Sequence, residues 1–570
     1  MKQHLVELCI VLAVRIGFGG LVRTTFVPDE YYQHIDPAYR LVYGDEASIQ
    51  PTWEWQEPHR IRSYVLLLPY IAYFGVLRVL GLSSPMLARQ GCRIVQGLLS
   101  GVGDMAQFLY VGKMFRGVYA GSQWLSPQHI VLMIQLGSWS SLYCGSRTLA
   151  NSTEMAGISL IVLVHSLGRA SAAAVLSSVL VCARPSAALF LGPYLIAHVG
   201  LTPVGLLGLL KTWAPPSLLA ALFCTAWDSL CYGQFTITAL RFLQVNILQN
   251  VAASFGRKPW HWNWTSGLPT MLGLQVPAVL VGLWLMLAHL KHPHGGKQRK
   301  RSAHPAAPAC IAAMVYAALL QLATPHQELR FLLPCLPGLH LAAGLAWWHF
   351  LHGDDQSRPR PRPRLRLRLR QSQGQGYGRR RVQIWWTLCL FLITAIHVVA
   401  AVYLSTRHQA GAEAAMAHLA DHTLPSLVQL RNASRGPDAP DSSSSAITVV
   451  QLAPCFSFPP AMFLHPASPR LNSRLRLLAP TCSPASLSDA DPGQALFLQS
   501  PAAYLRHLSV LHGTPDAVVT FDSYAGPEVR LVLSSMGLHL EQEFAHSDMR
   551  YDYDDPQHSS RALLFVLSVP

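Results

Sequence analysis

The chain has 570 residues, 51% of them hydrophobic and only 13% charged, with a formal net charge of +15. Apolar runs separated by short polar punctuation describe a polytopic α-helical membrane protein and exclude a string of ordinary soluble domains. Nor does the charge signal nucleic acid. Lys291, Lys297, Arg299, Lys300 and Arg301 fall in one linker, and ten arginines against Asp354 and Asp355 fall in residues 351–381. Positive excess in short loops marks the cytosolic side, so the linkers 291–305 and 352–382 are assigned there.

In chain order, residues 5–22 read as a retained first helix rather than a cleaved signal peptide, with Lys2 cytosolic and Arg23 at the far interface. A polar loop, 23–63, follows; it is too long to be only a connector. Apolar runs then recur at 64–82, 92–112, 130–149, 155–167, 171–199, 201–224, 268–290, 306–323, 331–351 and 384–404, giving about eleven membrane helices. Parity from the two cytosolic linkers places the opening loop, residues 228–267 and the turn 324–330 in the lumen. It puts residues 147–154 on the cytosolic side. Residues 1–404 are thus read as a transmembrane domain, which carries the candidate catalytic groups considered next. The Arg-Pro and Leu-Arg repeat at 358–370 reads as a solvated linker. The tail, 405–570, alternates short apolar segments with Pro/Ser/Asp-rich turns and reads as a small lumenal α/β domain. Most of the eleven cysteines lie in or beside apolar runs as small buried hydrophobes; Cys455 and Cys482, in the tail, form a possible disulfide.

Ionisable groups inside or bordering apolar runs are costly and therefore functional candidates. Asp29 and Glu30 adjoin Pro28, and neighbouring residues point in different directions, so the two carboxylates do not share one task. A single general base suits an inverting displacement; a helix N-terminus with acidic first-turn residues is the competing account. Trp53, Glu54 and Trp55, with Arg62 and Tyr64, offer rings to stack on a sugar and a carboxylate to bond it, or else an interfacial aromatic belt. Arg147 and Asn151 precede Glu154, whose pairing with Arg147 is the structural alternative. Arg184 precedes Pro185, where an interrupted helix frees backbone groups for a phosphate head group. Gln249, Asn250, Trp260, His261 and Trp262 form another polar-aromatic cluster. His326 and Arg330 lie four apart, a donor pair for a phosphate leaving group. Asn263 and Asn432 head glycosylation sequons that lumenal placement would favour. Asp552 and Asp554 are read as surface, and nothing in the sequence requires a metal or other cofactor.

The segments PDEYYQ, TWEW, RSY, RTLANSTE, RPSA, NILQN, PWHW and HQELRF, in this order across residues 26–337, resemble the dolichyl-phosphate-mannose-dependent α-mannosyltransferases of glycosyltransferase family 22. The likeness is greatest to the branch that adds the third GPI mannose. TWEW followed by NILQN and PWHW is the specific part. This resemblance implies a GT-C fold in the endoplasmic reticulum membrane with a lumenal active site. It also implies α1,2 transfer of mannose from dolichyl phosphate mannose to a GPI-precursor glycolipid. Asp29 would be the base, with Glu30 nearby, and His326, Glu328 and Arg330 would meet the donor phosphate. Gln327 stands where the family commonly has Lys, and Phe456 where relatives often have His.

Two rivals are weighed. A mannosyltransferase of N-glycan assembly or of the fourth GPI mannose would share the chemistry and differ in acceptor. A lipid transporter or scramblase would predict internal helix repeats, which the sequence lacks.

Overall fold

The computed structural model describes residues 4–44, 51–82, 84–115, 126–201, 205–291, 306–352, 373–433, 446–464, 475–480, 492–546 and 561–567. The Arg-rich repeat, Cys482, Asp552 and Asp554 lie outside these residues.

Helix α1 (Leu5–Leu21) passes through a bundle whose two ends are marked by its own contacts. At the far end Glu7 meets His129 Nε2 at 3.2 Å; at the other, the Val22 carbonyl accepts from Arg93 Nη1 at 2.8 Å. We call the second the site end. There the chain forms α2 (Asp36–Tyr43) and α3 (Leu68–Val79), which pack on each other. Helix α3 does not traverse: Arg78 reaches back to the Val42 carbonyl, and the Tyr73 hydroxyl donates to Leu87 O at the start of α4 (Pro85–Met114).

Helix α4 therefore starts at the site end and runs to the far end, where Phe108 packs against His4 and His129. It crosses α1 closely: a Cβ on Gly97 would lie 2.7 Å from the Arg15 carbonyl oxygen. Small residues at such crossings allow backbones to approach. Helices α5 (Pro127–Gly137) and α6 (Trp139–Gly145) return the chain, bent at Ser138, and bring Tyr143 against Phe26.

The pattern continues with α7 (Ala150–Ser166), α8 (Ala170–Ala183), α9 (Ala188–Leu201) and α10 (Leu206–Tyr232). A site-end segment carries the short α11 (Thr238–Leu243). Then come α12 (Leu268–Leu272) with α13 (Val276–Lys291), α14 (Ala307–Ala323), α15 (Leu336–His352) and α16 (Gln373–Thr406). Among the described residues, four stretches are long and apolar enough to cross a membrane by length and composition: Leu206–Tyr232, Asn263–Ala288, Leu329–His352 and Arg381–Thr406.

Two expectations about these helices are corrected. Residues 64–82 do not cross, and 171–199 are two helices rather than one, because Arg184-Pro185 ends α8 and starts a new direction. The errors offset each other in the helix count but not in sidedness. Residues 147–154 lie at the site end, beside the opening loop.

The tail packs on that same end. Helices α17 (Gly411–His418) and α18 (Leu424–Ala433) lead into a five-stranded sheet. Its strands are β1 (Ile447–Leu452), β2 (Leu475–Leu478), β3 (Ala517–Phe521), β4 (Leu538–Ala545) and β5 (Arg561–Leu567). They lie in the order β2-β1-β3-β5-β4, with β2, β1 and β3 parallel and β5 antiparallel to both its neighbours, β3 and β4. Strand alternation divides its two faces. Val449, Leu477, Val519 and Leu564 pack toward Tyr31, Tyr32 and Trp55 of the opening loop. Val450, Val518, Leu563 and Phe565 pack on α19 (Pro492–Gln499), α20 (Pro501–His512) and α21 (Pro527–Ser535). Burial on both faces explains why β1 and β3 read as continuous apolar runs.

Polar contacts fasten the tail as well. Glu413 of α17 accepts from Arg93 and from the Tyr31 hydroxyl (2.6 Å), and Tyr32 donates to Phe458 O (3.0 Å). Phe456 stacks obliquely on Tyr32. Cys455 is disulfide-bonded, and the cysteines expected to be buried hydrophobes are free thiols.

Candidate active site

The opening loop starts as a widened helical turn. Pro28 lacks an N–H and is suited to a helix start; its carbonyl accepts from Tyr31 N (3.0 Å) and Tyr32 N (3.1 Å). A π-helical turn, Tyr31–Ile35, follows; such turns are rare and concentrate at functional sites. Just before it, the neighbouring carboxylates Asp29 and Glu30 point in different directions, as adjacent positions do.

Glu30 turns into the bundle. Its Oε2 accepts from Arg147 Nη1 at 2.9 Å, and its Oε1 accepts from Phe26 N at 2.9 Å and from Arg147 Nη1 at 3.2 Å. Arg147 also donates to the Thr24 carbonyl (2.6 Å) and hydroxyl (2.5 Å), and its guanidinium lies over the Tyr143 ring. Both side chains are shut off from solvent. This is a buried clamp that fixes the root of the loop to α6–α7, with the Arg147 Nη groups bonded and its Nε unpartnered among the described residues. It replaces the expected alternative pairing of Arg147 with Glu154.

Asp29 turns the other way, and its side chain is 26% exposed. Arg330 Nη1 and Gln33 Nε2 both donate to Oδ2, whereas Oδ1 has no partner among the described residues. Gln33, one helical turn on, also donates to Glu54 Oε1 at 3.3 Å, and Glu54 is ion-paired with Arg62. The TWEW segment is thereby tied to the base of the site. Trp55 is buried, with Nε1 donating to Tyr32 O at 3.2 Å, and it packs against Tyr64, which meets Tyr232. The loop's exit is pinned by Asp228 of α10, whose oxygens accept from Ser63 Oγ (3.0 Å), Tyr64 N (2.8 Å) and Thr238 Oγ1 (2.8 Å).

Arg330 opens the 3-10 turn Leu329–Cys335 ahead of α15. It grips Glu328 through Nε (2.7 Å) and Nη2 (2.8 Å), so all three of its nitrogens are engaged by two carboxylates. His326 Nε2 lies 2.9 Å from Glu328 Oε1. Burial alone would raise the Glu328 carboxyl, but Arg330 and His326 outweigh it and hold it at about 2. His326 Nδ1 meets the Gly256 carbonyl at 3.2 Å, and Phe255 stacks on Trp53. The 326–330 turn, the 255–258 loop and Trp53 therefore form one rim.

Arg184, at the break between α8 and α9, meets Glu154 Oε2 at 3.4 Å; Ser186 Oγ donates to both Glu154 oxygens at 3.1 Å. His34 is buried, and its Nδ1 has no partner among the described residues. Burial, Arg62 and Arg184 push its imidazole down to about 3.

The fold thus gathers Asp29, Glu30, Trp53, Glu54, Trp55, Arg62, Tyr64, Arg147, Arg184, His326, Glu328 and Arg330 at one end. Asn151 is buried in the first turn of α7. Other members of the expected set stand apart: Gln249, Asn250, Trp260 and His261 are exposed, and Asn250 serves a left-handed turn (φ 52°). Trp262 lies under Lys258 and against Gly267. The Asn263 sequon is corrected, since that side chain is fully buried and donates to Ala317 O at 3.0 Å. Asn432 lies in α18. Sequence reading missed Gln33, His34 and Asp228. Gln33 was findable from its i+4 spacing to Asp29, and Asp228 from its place at the end of an apolar run.

A chain with this site end and bundle can be set beside known proteins. The model of the Alg9-like mannosyltransferase family matches residues 7–465. The chain belongs to that family. It is a glycosyltransferase and a multi-pass membrane protein. Among similar proteins, "GPI mannosyltransferase 3" of Drosophila melanogaster is 28% identical over 90% of this chain and 80% of its own length. "GPI alpha-1,2-mannosyltransferase 3" of Homo sapiens is 29% identical over 61% of this chain and 58% of its own length. The solved structure of ArnT from Cupriavidus metallidurans bound to undecaprenyl phosphate aligns over 99% of this chain and 98% of that one, with a TM-score of 0.53 and 13% identity. That likeness establishes the GT-C fold; the family match establishes the reaction class.

Proposed function

We propose that the chain transfers mannose from dolichyl phosphate mannose to a GPI-precursor glycolipid in α1,2 linkage, on the lumenal face of the endoplasmic reticulum membrane. It does so with inversion and with Asp29 as general base. The observation that carries this reading is the unpartnered Oδ1 of Asp29, in a site where the other carboxylates are paired. Arg330 and Gln33 hold Oδ2 and so orient Oδ1 toward the open side. In the reaction the acceptor hydroxyl gives its proton to Asp29 Oδ1 as its oxygen bonds to the mannose anomeric carbon. The bond from that carbon to the phosphate oxygen breaks, and the electron pair leaves with dolichyl phosphate. The guanidinium groups of the site offset the charge that develops there. The names of the similar proteins support the acceptor assignment.

The test uses the full chain in membranes with lipid-linked mannose and a GPI glycolipid carrying two mannoses. Asp29→Asn should reduce transfer by about 10²–10⁴-fold, the range of a general base, without altering thermal stability. Wild-type turnover by this variant overturns the base assignment. Transfer to an N-glycan precursor instead overturns the acceptor.

A further inference from the structure

In open α/β sheets a crevice forms beyond the carboxyl ends of neighbouring parallel strands whose onward connections leave on opposite faces, and ligands bind there. Strands β1 and β3 are such a pair. The described part of the connection after β1, the turn Ala461–Leu464, packs on the face toward the opening loop. The connection after β3 leads to α21, which packs on the other face. Beyond these strand ends lies a cleft of about 360 Å³, counted with its open mouth, at the small end for a ligand site. Phe456 and Ser457 after β1, Phe521 at the end of β3 and His546 after β4 form its tail side. Thr25, Pro28 and Gln409 form the opposite side, where the Thr25 N–H and hydroxyl both donate to Gln409 O at 3.1 Å.

Two further features mark the cleft as built for a ligand. Gln409 and Phe456 have φ of 62° and 61°, left-handed values that are costly for residues with a side chain and that concentrate at ligand clamps. Ser457 Oγ is shut off from solvent with no partner among the described residues, a cost that a bonding ligand removes. The lining also selects the ligand. It combines the rings of Phe26, Tyr31, Phe456 and Phe521 with the Ser457 hydroxyl and the Gln409 amide, and it includes no carboxylate, lysine or arginine. Ring faces with uncharged hydrogen-bonding groups suit a neutral sugar and lack the fixed cations that a phosphate prefers.

Resting on the mannosyl-transfer reading above, we propose that this cleft binds a non-reacting hexose of the acceptor glycan. Phe456, Ser457 and Gln409 then determine acceptor specificity. Pro28 stands in the wall and adjoins Asp29 in the chain, so a sugar held here brings the next ring toward the base. The donor's single mannose is the other source of a neutral hexose. The tail packs on the end of the bundle, outside the apolar helices that hold a polyprenyl chain, and the acceptor is the substrate with sugars to spare beyond its reacting one.

The experiment measures binding of a methyl dimannoside to the full-length protein in nanodiscs, with a short-chain polyprenyl phosphate mannose as a separate probe. Gln409→Gly and Phe456→Gly should each weaken dimannoside binding about tenfold, and Ser457→Ala about threefold, the range of single lost contacts. Donor binding should stay within twofold of wild type. Glycine adopts a left-handed φ without strain, so Gln409→Gly should melt no lower than wild type, which separates a lost contact from a lost fold. Wild-type protein that binds no dimannoside, or variants that bind it as wild type does, would overturn the proposal. Weakened donor binding with intact dimannoside binding would assign the cleft to the donor and overturn the acceptor reading. Loss of both ligands together with a lowered melting temperature in Gln409→Gly would reduce the cleft to packing. Binding is read without turnover, so failure of Asp29 as the base would leave this result standing.

Discussion

Glu30 and Asp29 are adjacent in sequence and opposite in environment. Glu30 belongs to a region where both carboxylate oxygens are bonded and sealed from solvent with a guanidinium, a backbone carbonyl, a hydroxyl and an aromatic face. Asp29 belongs to a region with unfilled valences among the described residues, namely its own Oδ1, Arg62 Nε and His34 Nδ1. The closed region fixes position; the open region is where a ligand enters. Two identical functional groups one residue apart are thus assigned different work by the width of a single helical turn.

Four substitutions would break or sharpen this contrast. Asp29→Asn has the largest effect, a rate loss of about 10²–10⁴-fold, paired with an unchanged melting temperature. Glu30→Gln should do the reverse. It leaves Arg147 buried and unpaired, at a cost of about 3–5 kcal/mol, seen as a lowered melting temperature and poor recovery from membranes. If Glu30→Gln melted like wild type, the clamp would be no clamp. Gln33→Leu removes the link between Asp29 and Glu54, and kcat should fall about tenfold with little change in the donor KM.

The smallest effect concerns pH. His34 has its pKa lowered from the ordinary 6.5 to about 3, so below pH 6.5 the unfolded chain binds a proton that the folded chain refuses. Stability therefore falls as pH drops from about 6.5 toward 3 and is unaffected above that window. His34→Asn should flatten the slope of melting temperature between pH 6.5 and 5; an unchanged slope would show that His34 is not held neutral.

The loop, its Asp29, the TWEW cluster and the 326–330 turn were all legible in the sequence, because polar residues beside apolar runs stand out. Sidedness was not legible. Helix α3, with its exposed Val76, Val79 and Leu80, has the composition of a short crossing, and nothing local separates it from one. Only its contacts with α2 and the start of α4 do. The opposite case is Arg184-Pro185, where hydropathy continues across the proline although the helix does not. Pairings such as Arg147 with Glu30 and Arg93 with Glu413 link residues 117 and 320 positions apart, beyond any spacing rule.

The pairing of Arg93 has a consequence in time. Its carboxylate partner is 320 residues downstream, and at about 5–20 residues per second that segment takes roughly 16–64 s to synthesise. Through that interval α4 must be held with an uncompensated cation at its site end, next to the half-built opening loop. Nascent chains arrested before residue 413 should consequently remain bound to the insertion machinery, and those extended beyond it should be released.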